Sequence, residues 1–165
     1  MRPSFRTGLG FTLIGIATVL TAAAGARATQ RGKPWYRLLR KSSLNPPDAA
    51  FGPVWTGLYA ASAVSAARVY RAAPSPARSR ALTLWGAQQA LNAAWSPLFF
   101  GQRRPRAALL DLGLLWGTLG SYALQARKVD PVASALVLPY LGWVSFAGWL
   151  NGAVVRKNPR WLMAG

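Results

Sequence analysis

Four stretches, residues 8–26, 49–67, 81–102 and 131–155, contain no charged side chain, and a fifth, 107–126, contains only Asp111. A helix lying in water needs a polar face, and none of these windows supplies a charged one. A bilayer core asks for about 20 mostly apolar residues per crossing helix. The pattern predicts an all-α membrane protein, a single bundle of five transmembrane helices over about 8–26, 50–72, 80–101, 106–126 and 131–156.

The rest of the chain is basic. Lys and Arg number 20 against 3 Asp+Glu, a net charge of +17. Such an excess first suggests nucleic acid. The cations fall between the windows, however, so the expected partner is the lipid bilayer and not nucleic acid. Sidedness follows from the connections. One side holds Arg2, Arg6, Arg71, Arg78, Arg80, Arg127 and Lys128. The other holds Arg27, Arg31, Lys33, Arg37, Arg40, Lys41, Arg103, Arg104, Arg106, Arg156, Lys157 and Arg160. The excess on the second side predicts N-out and C-in. The Ala/Arg/Gly-rich composition points to a bacterial cell envelope. Arg2, Arg6, an apolar run and Ala24-Gly25-Ala26 also fit a secretory signal. A retained helix is the better reading, because the run is long for a signal.

Cys and His are both absent, which excludes disulfides, thiol nucleophiles and the commonest metal ligands and general base. Glu is absent too, and Asp occurs only at 48, 111 and 130, so neither a carboxylate dyad nor a metal site is expected. Asp111, early in the fourth helix, is expected to pair with Arg103 or Arg104. Between the first two helices lies a long connection, 27–50, containing Pro46-Pro47. Adjacent prolines forbid regular helix, and long ordered loops commonly act as lids. Pro53, Pro97 and Pro139 fall in or near helices and are expected to free carbonyls there.

The chain has 8 Trp. Trp35, Trp85 and Trp161 fit an interfacial belt. Trp116 and Trp143 lie near mid-helix, and Trp55 and Trp95 near helix ends. At 100° per residue, Trp85, Gln88, Asn92, Trp95, Ser96 and Phe99 share one side of the third helix. Gly86, Ala90, Ala93, Ala94 and Pro97 lie opposite. That small-residue face suits close helix contact, either in a homodimer or with a neighbour in the bundle. Amides are costly in lipid, so Gln88 and Asn92 should face inward. The fifth helix carries Tyr140, Trp143, Ala147 and Asn151 at steps of three and four, and the second carries Phe51, Trp55 and Tyr59. Each stripe alone is compatible with plain packing. The three together suit an aromatic cavity for a flat ligand.

Several motifs are similar to those of one family. Trp35-Tyr36-x-x-Leu39-x-Lys41, Pro46-Pro47 and Phe51-Gly52-Pro53-Val54-Trp55-Thr56-x-Leu58-Tyr59 resemble the first loop and second helix of the TspO/translocator proteins, the tryptophan-rich sensory (TspO/MBR) family. Ala90-Leu91-Asn92-x-x-Trp95-Ser96-Pro97-Leu98-Phe99-Phe100 resembles its third helix. Leu138-Pro139-Tyr140-Leu141-x-Trp143-Val144-Ser145-Phe146-Ala147 and Leu150-Asn151 resemble its fifth. The resemblance covers roughly residues 30–158. It implies a five-helix bundle, commonly a homodimer, whose first loop covers a ligand pocket. The implied pocket residues are Tyr36, Pro46, Trp55, Asn92, Trp95, Trp143 and Ala147. Animal members carry a sterol-recognition Tyr just after the Leu-Asn of the fifth helix. Gly152-Ala153-Val154-Val155-Arg156 has none, so sterol binding through this segment is not implied.

The resemblance further implies a tetrapyrrole ligand, protoporphyrin IX or haem, with no obligatory cofactor, and a role as sensor, regulator or carrier. Two alternatives stay open. One is light-dependent porphyrin degradation, for which Trp55 and Trp143 are the candidate residues. The other is passive transport of tetrapyrroles or other apolar small molecules.

Overall fold

The computed structural model describes residues 5–163; Arg2, and the side chains of Arg6 and Arg160, lie outside what is described. The chain folds into α1 (Phe5–Leu38), α2 (Asp48–Arg71), α3 (Pro76–Ser96), α4 (Pro105–Arg127), α5 (Pro131–Leu136) and α6 (Leu138–Lys157). A π-helical turn, Pro97–Gly101, extends α3, and a 3-10 turn, Arg160–Met163, follows α6. Helices α5 and α6 together form the fifth crossing, so the architecture is the all-α five-helix bundle expected. Residues 8–38, 105–127 and 131–157 are each long and apolar enough to cross a membrane. Helix α3 turns Gln88, Gln89 and Asn92 into the bundle.

The first helix departs most from expectation. It runs unbroken to Leu38, so the connection expected over 27–50 shrinks to residues 39–47. At 1.5 Å per residue its 34 residues reach about 51 Å, well beyond a core of about 30 Å. Basic residues end the apolar window at 26 but do not end the helix, since Arg and Lys are good helix formers. Pro34 lies within it and removes one N–H donor without stopping it.

Other boundaries follow local chemistry. Helix α3 starts four residues before the expected 80, because Ser75 caps it by accepting from Arg78 N at 3.1 Å and Pro76 opens it. Asp130 caps α5, accepting from the N–H groups of Val132 (2.9 Å) and Ala133 (3.1 Å). The fifth crossing breaks at Val137, just before Pro139, whose ring nitrogen cannot continue the ladder.

Helix α1 is the most lipid-facing. Leu13, Ile16, Val19 and Leu20 are exposed along it. The half of the bundle remote from the 39–47 connection is tightly filled. Ala66, Val69, Tyr122, Ala126 and Ala133 have no exposed surface there. Ser65 Oγ donates to the Ala133 carbonyl at 2.6 Å, which leaves Tyr122 Oη as the donor in its 2.6 Å bond to Ser65. One layer nearer the centre, Ser62 Oγ accepts from Trp85 Nε1 (3.0 Å) and Gln88 Nε2 (3.4 Å). Gln88 also donates to Gln89, which donates to Thr18 on α1. Trp85 is therefore a buried bundle residue and not the interfacial one expected. The earlier start of α3 puts it well inside the helix and away from its end.

A candidate ligand-binding cavity

The other half of the bundle is hollow. A cavity of about 530 Å³ lies between α1, α2, the end of α3 and α6, under the 39–47 connection. That volume is within the range of small-molecule sites. Its floor is a hydrogen-bonded layer: Tyr59 Oη donates to Asn92 Oδ1 at 2.7 Å, and Asn92 Nδ2 donates to Tyr140 Oη. All three residues sat on the stripes read from the sequence. Asn92 spends its carboxamide here, tying α2, α3 and α6 together across the floor.

Above the floor the walls are aromatic. Trp55 stacks on Tyr59 (centroids 5.4 Å) and meets Trp143 edge-to-face at 6.3 Å. Trp95 stacks on Phe99 at 5.2 Å, and Phe99 packs edge-on to Tyr36 at 6.0 Å. The π-helical turn sets Phe99 and Phe100 side by side, centroids 4.9 Å apart. The indole N–H groups of Trp95 and Trp143, and both amide atoms of Asn151, are buried without a hydrogen-bond partner in the protein. All three residues line the cavity. Lys33 is the one cation and Asp48 the one anion among the lining residues.

Of the expected pocket residues, Tyr36, Trp55, Asn92, Trp95, Trp143 and Ala147 all line the cavity. Pro46 does not, although Asn45 and Asp48 on either side of it do. Tyr36 sits on the last turn of α1 instead of in a loop, and its hydroxyl donates to Asn45 Oδ1 at 2.8 Å. The sequence reading missed the contribution of α1, where Ala22, Gly25, Ala26, Thr29 and Lys33 recur at helical spacing on the cavity side. That spacing was the available signal.

Two other expectations need correction, those for Trp35 and Asp111. Trp35 is not interfacial: it is buried, and its indole donates to the Leu162 carbonyl at 2.9 Å. Trp116 faces outward, 51% exposed, and satisfies its N–H on Ser145 Oγ at 2.9 Å. Asp111 does not pair with Arg103 or Arg104. It points inward with Ala108, Leu112 and Leu115, while both arginines sit exposed in the turn before α4. The ion pair among the described residues is Arg68–Asp130 at 2.8 Å. On α3, Gly86 and Ala90 are exposed and Ala93 and Ala94 half-buried, so the small-residue face is turned away from the bundle.

Comparison with known proteins agrees with this architecture. The chain is 37% identical to the human translocator protein over 164 residues, covering 98% of this chain and 95% of that protein. It is 38% identical to the tryptophan-rich protein TspO of Chlorobaculum tepidum, covering 82% and 87%. Against protein CrtK of Rhodobacter capsulatus it is 36% identical, covering 92% and 96%. The model of the TspO/MBR family matches residues 11–156, and this integral membrane chain belongs to that family.

Proposed function

We propose that the protein is a membrane receptor or carrier for tetrapyrroles, with the ligand plane held between Trp55, Trp95 and Trp143. The observation that carries this is the cavity itself: flat aromatic walls and one lysine. Lys33 suits a propionate, where a charge-assisted bond is favourable. The names of its relatives, a tryptophan-rich sensory protein of Cereibacter sphaeroides among them, are compatible with sensing or translocation. With no His and no Cys in the chain, the usual axial ligands of haem iron are missing. Metal-free protoporphyrin IX therefore binds about as well as haem. Quenching of Trp fluorescence in nanodiscs tests this, and a clear preference for haem refutes it. The bilayer orientation we assign is N-out and C-in, in a bacterial envelope membrane.

The edge-to-face contact of Trp55 and Trp143 favours a second reading, light-dependent porphyrin degradation. Two adjacent indoles offer a route for an electron to an excited ligand, with dissolved dioxygen as the oxidant that opens the macrocycle. Illumination of the complex decides: product formation lost in Trp55→Phe/Trp143→Phe supports it, and unchanged absorbance rejects it.

A further inference from the structure

We propose that Asn158 is a positioning residue for the lid of the cavity, and that the segment after α6 is a strap that sets how readily the cavity opens. The proposal rests on reading the cavity as a ligand site. Residues 39–47 span the gap between α1 and α2, and Asn45 in this span lines the cavity. Within the connection, bonds are local: Asn45 N to Ser42 O at 3.1 Å and Leu44 N to Ser42 Oγ at 3.2 Å. These turns and the bond from Tyr36 Oη to Asn45 Oδ1 at 2.8 Å hold the tip of the span but leave its root free.

Its root is held from the far end of the chain. Asn158 Oδ1 accepts from Arg40 N at 2.9 Å, and Asn158 Nδ2 donates to Arg40 O at 2.9 Å. The carboxamide thus pairs with both polar groups of one residue, as a neighbouring strand would. The same Nδ2 donates to Val154 O at 2.9 Å, which ties the pairing to the last turn of α6. Lys157 Nζ adds a 3.3 Å bond to Lys41 O, and Trp35 Nε1 donates to Leu162 O one turn below. Among the described residues, the hydrogen bonds from the connection to anything other than itself and its two flanking helices come from Lys157 and Asn158. Asn158 is only 7% exposed although it lies beyond the helix, whereas Arg40 is exposed. No cavity-lining role explains that burial, because Asn158 does not line the cavity.

The chemistry requires an amide. Asn158→Asp would keep the acceptor for Arg40 N, lose both donated bonds and set a carboxylate against two carbonyl oxygens. The lid root would be released while the packed far half stayed intact.

The test uses a reporter thiol, since the chain has no cysteine of its own. Ala147→Cys places one on the cavity wall; Ala123→Cys places one in the packed half. Each is made with and without Asn158→Asp, reconstituted in nanodiscs, and labelled with a small maleimide without ligand. Loss of two donated bonds predicts labelling at 147 at least about tenfold faster. Labelling at 123 stays unchanged. Asn158→Ala, which adds no charge, gives the same pattern more weakly. Unchanged labelling at 147, or equal acceleration at both positions, overturns the proposal. In nanodiscs of the protein without an introduced cysteine, protoporphyrin IX should associate and dissociate faster with Asn158→Asp. If no tetrapyrrole binds while labelling at 147 accelerates, the ligand reading falls and the strap stands.

Discussion

Gly32 on α1 lies against the backbone of Phe100: a methyl group in its place would meet Phe100 Cβ at 2.5 Å, its carbonyl oxygen at 2.7 Å and its Cα at 2.9 Å. Backbone atoms cannot swing aside as a side-chain tip can. The contact joins the C-terminal part of α1 to the π-helical turn, and so it closes one corner of the cavity. Gly32→Ala is expected to destabilise the protein by about 1–3 kcal/mol, as overpacking typically does. It should also loosen Tyr36 against Phe100, now 5.4 Å apart. Thermal unfolding in detergent checks the first effect, and tyrosine fluorescence in a Trp-depleted background checks the second.

The packed half has its own single point of failure. Ser65 serves both Tyr122 and the Ala133 carbonyl from a fully buried position. Ser65→Ala leaves a hydroxyl and a carbonyl without that partner, at about 1–3 kcal/mol for a buried unsatisfied group. Adding Tyr122→Phe removes one of the two orphans and should recover part of the loss. Chemical denaturation of the single and double variants measures the recovery.

Asp130 gives a pH dependence. Desolvation, the largest single influence, raises its pKa. It is outweighed by the N–H of Ala133, the bond and charge of Arg68, and the N–H of Val132, so the net shift is downward. A carboxyl depressed in the folded state stabilises above its ordinary pKa, about 3.9, and loses that contribution as pH falls through the folded value. The site is exposed, so the effect is small and screened by salt. Asp130→Asn should flatten the acid limb of the Tm–pH curve below about pH 4 and leave Tm near pH 7 only slightly lower. An unchanged acid limb would contradict this.

The floor of the cavity should be separable from its walls. Asn92→Leu removes the bonds to Tyr59 and Tyr140 at once, leaving the buried Tyr140 hydroxyl and the half-buried Tyr59 hydroxyl to find new partners. Porphyrin affinity is expected to fall about tenfold or more, with a measurable drop in Tm. Trp143→Ala removes a wall without breaking a hydrogen bond, because its N–H has no partner in the protein. It should cost affinity by a similar factor and disturb folding less. Paired titration and thermal unfolding of the two variants would show the split.

The charge-free windows located the crossings because the bilayer penalises charge on every helix alike. The stripes on α2, α3 and α6 each supply cavity-lining residues, while Trp85, Gln88 and Tyr140 on the same stripes pack beneath the cavity, since an aromatic or amide side chain must turn away from lipid or find a partner. The extension of α1 to Leu38 was hidden by the same logic that found its start. Arg27, Arg31 and Arg37 signal the end of the hydrocarbon region, which is not the end of the helix. Trp35 and Trp85 were misread for a related reason. A belt Trp must face lipid, but Trp35 turns into the bundle at the end of α1, and Trp85 does so well inside the lengthened α3. The inward turn of Asp111 was not legible, because spacing along a helix says nothing about which neighbour a lone charge faces. The pairing of Asn158 with Arg40 joins residues more than a hundred apart, and no local pattern announces it.

The central claim is that the hollow half of the bundle takes a flat tetrapyrrole, and the measurement that reaches it most directly is a crystal structure with protoporphyrin IX. The account predicts the macrocycle between α1, α2, α3 and α6, one face toward Trp55 and Trp143, and a propionate at Lys33. A ligand seated on the outer small-residue face of α3, with the cavity unchanged, would contradict it.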